Sequence, residues 1–294
     1  MAGKQVTELD ALPSFTDNSL FPVHNGTGLK KGLLSQLANY LGKKFSNPNL
    51  LINPDFKINQ RGETSYTSAV AQTIKIVYSV DRWCLYGHSL TVNSDKSVTI
   101  TPTTYSDGAL IQNLETPVDG DITVQVYAVG VSGTATVSVR PSDDSSTTEI
   151  GTLKNGLNTF TFSRGIKKLV IRVNSGTLTL KYAKVEQGTV ATSFVAPNPA
   201  DELIKCQRYY FKRYYYYVFY SGSASFTYIF SDTIPSMRIK PTVDFANTSN
   251  SGLTKAVVSL NTTVKDLTLL IQAVTSKVGN CNVSGTIALD AEIY

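Results

Sequence analysis

Histidine and cysteine are scarce. The 294 residues hold two histidines, His24 and His88, and three cysteines, Cys84, Cys206 and Cys281. An odd number of widely spaced cysteines is not a disulfide framework, and no CxxC pair starts a zinc site. Small buried thiols in a reducing compartment are the expectation. No HExxH, GxSxG or Walker loop occurs. Gly26-Thr27-Gly28-Leu29-Lys30-Lys31-Gly32 comes nearest to a dinucleotide fingerprint. Lys31 stands where the third glycine belongs and no βαβ unit follows, so a plain turn is expected. Asp143-Asp144 sits in a Ser/Thr run and reads as a solvated hairpin loop, without the spacing of a calcium loop. Asp119 and Asp121 flank a turn at Gly120. No catalytic residue, metal site or cofactor is assigned.

Charge is sparse too. Charged residues make up 17%, the net charge is +5, and the longest basic runs are pairs such as Lys30-Lys31 and Lys43-Lys44. That argues against a stripe able to follow a phosphate backbone, so no nucleic-acid partner is expected. No stretch reaches the roughly 18 apolar residues of a membrane span. The opening MAGKQVTELD lacks the apolar core of a secretory signal. The expectation is a soluble chain made in a cytoplasm, with no membrane insertion.

Hydrophobic residues, at 41%, suffice for real cores. The abundance of Ser, Thr, Asn, Val and Tyr favours strands and turns. The expected fold class is mainly β, in three parts. Residues 1–46 form a short module in which Leu33, Leu34, Leu37 and Leu41 recur at helical spacing from Lys30 to Phe45, with Gly42 near the helix stop. A piece this small can hardly bury a core alone, so it is expected to anchor to a partner. Residues 47–197 show short alternating runs between turn signals. The clearest is Ile122, Val124, Val126 and Ala128; Leu169, Ile171 and Val173 form another. This spacing predicts a jelly-roll β-sandwich. At residues 198–294, Asn198 can cap a short helix beginning at Pro199, with Asp201 and Glu202 in its first turn and an end near Gln207.

An antiparallel β domain follows, and its aromatic density is unusual. Residues Tyr209 to Tyr228 hold eight of the sixteen tyrosines. Successive strand residues face opposite sides. The run Tyr214-Tyr215-Tyr216-Tyr217 is therefore aromatic on both faces, and one face needs a cover beyond its own core. Self-association would supply it. Tyr209, Tyr210, Phe211, Tyr215, Tyr217 and Phe219 are the candidate oligomer interface. Tyr214 and Tyr216 are candidate receptor contacts.

Several motifs carry a resemblance. Asn49 to Gly62 reads NLLINPDFKINQRG, and Tyr78-Ser79-Val80-Asp81-Arg82-Trp83 follows. This resembles the NLLxNxxFxxxQRG…YxxDRW signature of accessory domains in phage tail fibres and tailspikes. Ala183 to Phe194 is similar to the family's closing strand. Cys206-Gln207-Arg208-Tyr209-Tyr210 looks like the element that opens its C-terminal head, which Met237 to Val243 and the ending Asp290 to Tyr294 also fit. The motifs cover Asn47 to Tyr294 in order. The resemblance implies a sandwich shaped like a carbohydrate-binding module and a homotrimeric head. It also implies a place in the virion, with residues 1–46 meeting other phage tail or capsid proteins and the rest facing host surface polysaccharide. Tailspikes insert a long polysaccharide-cleaving β-helix, for which this chain has no room; a non-enzymatic role is expected. The rival roles are a head fibre, capsid decoration or tail adaptor, and a small glycan hydrolase or esterase.

Asp81, Arg82 and Trp83 admit two readings. Trp83 could stack on a sugar ring while Asp81 and Arg82 grip hydroxyls. Alternatively the single tryptophan anchors a core and the two charges tie a loop.

Overall fold

The computed structural model describes residues 20–24, 29–33, 37, 46–68, 76–103, 108–263 and 266–293. Its architecture is mainly β. Strands β1 (Leu20–His24) and β2 (Leu29–Leu33) pair antiparallel, with Leu20 opposite Leu33 and His24 opposite Leu29. The helix expected from Lys30 therefore does not begin there: pairing across the Asn25-Gly26 turn sequence outweighs the leucine spacing. Leu37 is helical and 36% exposed. Leu34 and Leu41 lie outside the described residues.

Two six-stranded antiparallel sheets follow. One runs in the spatial order β11 (Thr148–Thr152), β10 (Ala135–Arg140), β13 (Ile166–Val173), β8 (Ala109–Val118), β5 (Cys84–Tyr86) and β4 (Val77–Tyr78). The other runs β12 (Gly156–Phe162), β9 (Ile122–Ser132), β14 (Thr177–Gln187), β7 (Val98–Pro102), β6 (His88–Val92) and β3 (Ser65–Thr67). Their inner faces share one core, to which Ile122, Val124, Val126 and Ala128 of β9 and Leu169, Ile171 and Val173 of β13 all contribute. The alternating pattern set these faces, because a one-residue slip would turn each apolar set to water.

The motif residues knit this sandwich together. Asn49 Nδ2 donates to the Ala183 carbonyl at 3.0 Å, and Asn49 Oδ1 accepts from the amides of Leu51 and Val185. The start of the sandwich is thus tied to its closing strand. In that strand Lys184 and Glu186 are buried 3.1 Å apart. Lys184 Nζ donates to Thr192 Oγ1 at 2.6 Å, and Glu186 Oε1 accepts from Gln125 Nε2 at 2.9 Å. Two buried charges are tolerable here because each has a counter-ion and further hydrogen bonds. The Asp143-Asp144 loop is solvated as expected, but ion pairs hold it: Asp143 meets Arg164 at 2.7 Å, and Asp144 meets both Arg140 and Lys167.

Helix α1 (Pro199–Gln207) leaves the sandwich with Asn198 as its N-cap, whose side chain accepts from Ala200 N at 2.9 Å. Two three-stranded sheets come next. One is ordered β15 (Tyr210–Ser221), β20 (Gly279–Asp290), β17 (Thr242–Ser251). The other is ordered β16 (Thr227–Thr233), β19 (Asp266–Thr275), β18 (Leu253–Thr263). Phe211 and Tyr215 of β15 and Ile271 and Ala273 of β19 belong to one core, against which Tyr217, Phe219 and Phe230 pack. Tyr217 stacks on Phe230 at 4.5 Å between ring centroids.

That packing corrects the expected oligomer interface. Tyr209, Tyr210, Phe211 and Tyr215 are buried within the chain, and Tyr217 and Phe219 are half-buried against the second sheet. The cover predicted from a neighbouring copy comes from β16 and β19 of the same chain. Strand β17 had only Val243 and Phe245 to announce it; the rest of its sequence, ANTSNS, is turn-like in composition.

Candidate functional site

Two clusters of the expected site residues have opposite environments. Trp83 and Asp81 are 0% exposed and Arg82 is 2% exposed. None of the three offers a face to a sugar ring, so the glycan reading of this triplet is corrected. Trp83 packs against Phe56 with ring centroids 5.1 Å apart, and its Nε1 donates to the Asn53 carbonyl at 2.8 Å.

The two charged residues do not pair with each other. Arg82 adopts φ +71°, a left-handed conformation that aims its side chain at the C-terminal sheets. Its Nη1 meets Glu292 Oε2 at 2.6 Å, its Nη2 donates to the Asn113 carbonyl at 2.7 Å, and its guanidinium lies 3.6 Å from the Tyr209 ring centroid. Asp81 accepts from the Gln60 amide at 3.0 Å and lies 3.6 Å from Arg61. Arg61 reaches Glu292 at 3.5 Å and stacks 3.8 Å over the Tyr210 ring. Gln60 Nε2 donates to the Tyr210 carbonyl at 2.7 Å. Burial pushes the carboxyls of Asp81 and Glu292 upward, opposed by the two arginines. This is a closed ionic knot between the sandwich and the C-terminal sheets, not an open site.

Arg208 and Arg238 serve the same junction. Arg208 meets Glu115 at 3.2 Å, and Arg238 donates to the carbonyls of Ala291 and Glu292.

Tyr214 and Tyr216 lie elsewhere. The alternation of β15 sends the odd-numbered aromatics inward and leaves Tyr214 (58%), Tyr216 (58%), Val218 (60%) and Tyr220 (66%) exposed on the outer face. Side chains on that face recur every two residues, about 6.8 Å apart. Cross-strand from them on β20 stand Thr286 opposite Tyr214, Asn282 opposite Val218 and Asn280 opposite Tyr220. The face is thus a ladder of phenol rings beside small amide and hydroxyl side chains. Strand β15 is also the edge of its sheet. Val218 and Tyr220 were not singled out from the sequence, although their even numbering after Tyr214 was the available signal.

No protein-family model matches the chain, and no curated protein does. Solved structures do. One is described as a carbohydrate binding module of family 29; it is 15% identical, covers 46% of this chain and 90% of its own, and has a TM-score of 0.30. A second, a family 29 module complexed with mannohexaose, is 14% identical, covers 52% of this chain and 100% of its own, and has a TM-score of 0.32.

Proposed function

We propose that the chain is a non-enzymatic appendage of a bacteriophage virion, a tail fibre or receptor-binding protein, which holds host surface glycan on the tyrosine row of β15. The row itself carries the glycan reading: Tyr214, Tyr216 and Tyr220 stand in water at 58–66% exposure beside Asn280, Asn282 and Thr286. Rigid rings supply contact area at little entropic cost, and small polar side chains adapt their hydrogen bonds to hydroxyls. The centre of an obligate protein interface is more apolar than this face. The virion reading rests on the resemblance of the ordered motifs from Asn49 to Tyr294 to those of phage fibres, and imaging particles that carry labelled protein tests it.

The binding test uses the full chain on a panel of purified bacterial surface polysaccharides. The double variant Tyr214→Ala, Tyr216→Ala is expected to bind at least about tenfold more weakly, as loss of central aromatic contacts does elsewhere. Unchanged affinity in a folded double variant contradicts the assignment.

We also infer a homotrimer. Strands β15 and β16 each end a sheet, and Phe226 and Ile229 beside this rim are more than half exposed. Unpaired strand edges with apolar neighbours are templates for association. The number three comes from the family resemblance, and three linked sites would raise the effective affinity of a weak glycan contact. Light scattering on the full chain is expected to give three times the 31.9 kDa chain mass; a monomer at micromolar concentration contradicts it.

A further inference from the structure

The tyrosine row of β15 is longer than one sugar. Tyr214, Tyr216, Val218 and Tyr220 alternate with the inward Tyr215, Tyr217 and Phe219, so they share the outer face. At the roughly 6.8 Å that two strand residues advance, Tyr214 and Tyr220 stand about 20 Å apart, the length of about four sugar units in an extended chain. One end of the row is closed. Tyr210 continues the same face, but Arg61 of the sandwich stacks 3.8 Å from its ring centroid, and Lys212 Nζ donates to the Arg61 carbonyl at 2.8 Å. At the other end Tyr220 is 66% exposed, more than Tyr214, Tyr216 or Val218.

The strands beside the row are low. Strand β20 places Thr286, Ser284, Asn282 and Asn280 opposite Tyr214, Tyr216, Val218 and Tyr220. Beyond it, β17 places Ala246 opposite Thr286 and Ser251 opposite Asn282. Tall rings on one side and short side chains on the other make a step that runs the length of the strand. Asn282 is half-buried and its Oδ1 accepts from the Ser251 amide at 3.0 Å, which holds the side chain in place before any ligand arrives.

A sugar chain lying on this step has the phenol rings along its flank and amide and hydroxyl side chains beside its own hydroxyls. Each exposed ring gives a modest contact, and contacts along one chain share a single loss of translational freedom. We infer that the face takes a linear polysaccharide lengthwise along β15, about four sugar units at a time, rather than a single terminal sugar. The inference rests on the glycan reading of the same row and adds to it the form of the ligand, an unbranched stretch of chain.

Calorimetry on the full chain tests it with the panel polysaccharide that the protein binds and with fragments of that polymer two, four and six sugars long, made by partial acid hydrolysis. Affinity is expected to rise about tenfold or more from two sugars to four, and to change less than about threefold from four to six. Tyr220→Ala is expected to weaken the longer two fragments about fivefold or more, although about 20 Å separates it from Tyr214. Val218→Asp, a second exposed position midway, is expected to lower the same affinities. Both side chains stand in water, so both variants should keep the thermal midpoint of the unaltered chain. A two-sugar fragment that binds as tightly as the six-sugar one overturns the inference and leaves the glycan reading standing. So do folded Tyr220→Ala and Val218→Asp chains that bind every fragment fully. A chain that binds no polysaccharide of the panel, or one whose binding ignores the double variant Tyr214→Ala, Tyr216→Ala, overturns the glycan reading and the inference with it.

Discussion

Replacing Arg82 with methionine is expected to lower the unfolding free energy by about 3–5 kcal/mol, the range for breaking a buried ion pair from one side. Glu292 would remain 3% exposed, with Arg61 at 3.5 Å as its remaining cation. The Asn113 carbonyl and the face of Tyr209 would lose their guanidinium as well. Methionine fills similar volume, so the loss reads the charge and its hydrogen bonds more than a cavity. The second variant, Arg82→Met with Glu292→Gln, should lose less than the sum of the two single changes, because no carboxylate is then left without its main partner. Urea unfolding followed by fluorescence measures this well, since Trp83 is the one tryptophan and lies next to the knot. A loss below about 1 kcal/mol, the size of an exposed pair, would contradict the closed knot.

Trp83→Ala is expected to cost about 3–5 kcal/mol, the usual range for emptying a core indole site. The ring is wholly buried against Phe56, and its N–H satisfies the Asn53 carbonyl. Asn53 itself holds φ +54° and bonds both the Ile58 and Asp81 carbonyls through Nδ2. Losing the indole therefore disturbs the loop that carries Asp81. Trp83→Phe keeps most of the packing but not the donor, and should cost less. Circular dichroism during urea unfolding reads both. Glycan affinity of the folded fraction should stay unchanged, because the indole faces no ligand; lost affinity at unchanged stability would restore the sugar-stacking reading of Trp83.

Much of the fold was legible in the sequence where one face of a strand is buried. Ile122 to Ala128 and Leu169 to Val173 alternate because water lies on one side and the core on the other. The cap at Asn198 was legible because Asn, Pro and the following acids each answer a different need of a helix start. The N-terminal leucines misplaced the helix start, because strand pairing and helix spacing compete over so short a run: β2 took Leu29 to Leu33, while Leu37 is helical. Strand β17 carries only Val243 and Phe245 as large apolar residues, too few to make a periodic signal. Among the site residues, the tyrosine run announced that two faces were aromatic. Only the structure shows that the chain covers one of them itself. The Asp81-Arg82-Trp83 motif left two readings open in the sequence, since the partners that bury Arg82, Glu292 and Tyr209, are more than a hundred residues away.

The central claim is that the exposed row of β15 touches glycan. Spectra of the full chain with isotope-labelled tyrosine rings, titrated with a bound surface polysaccharide, test it most directly. The account predicts shifts in the ring signals of Tyr214, Tyr216 and Tyr220, with those of the buried Tyr209 and Tyr210 unmoved. Saturable binding that leaves all three exposed rings unshifted would contradict it.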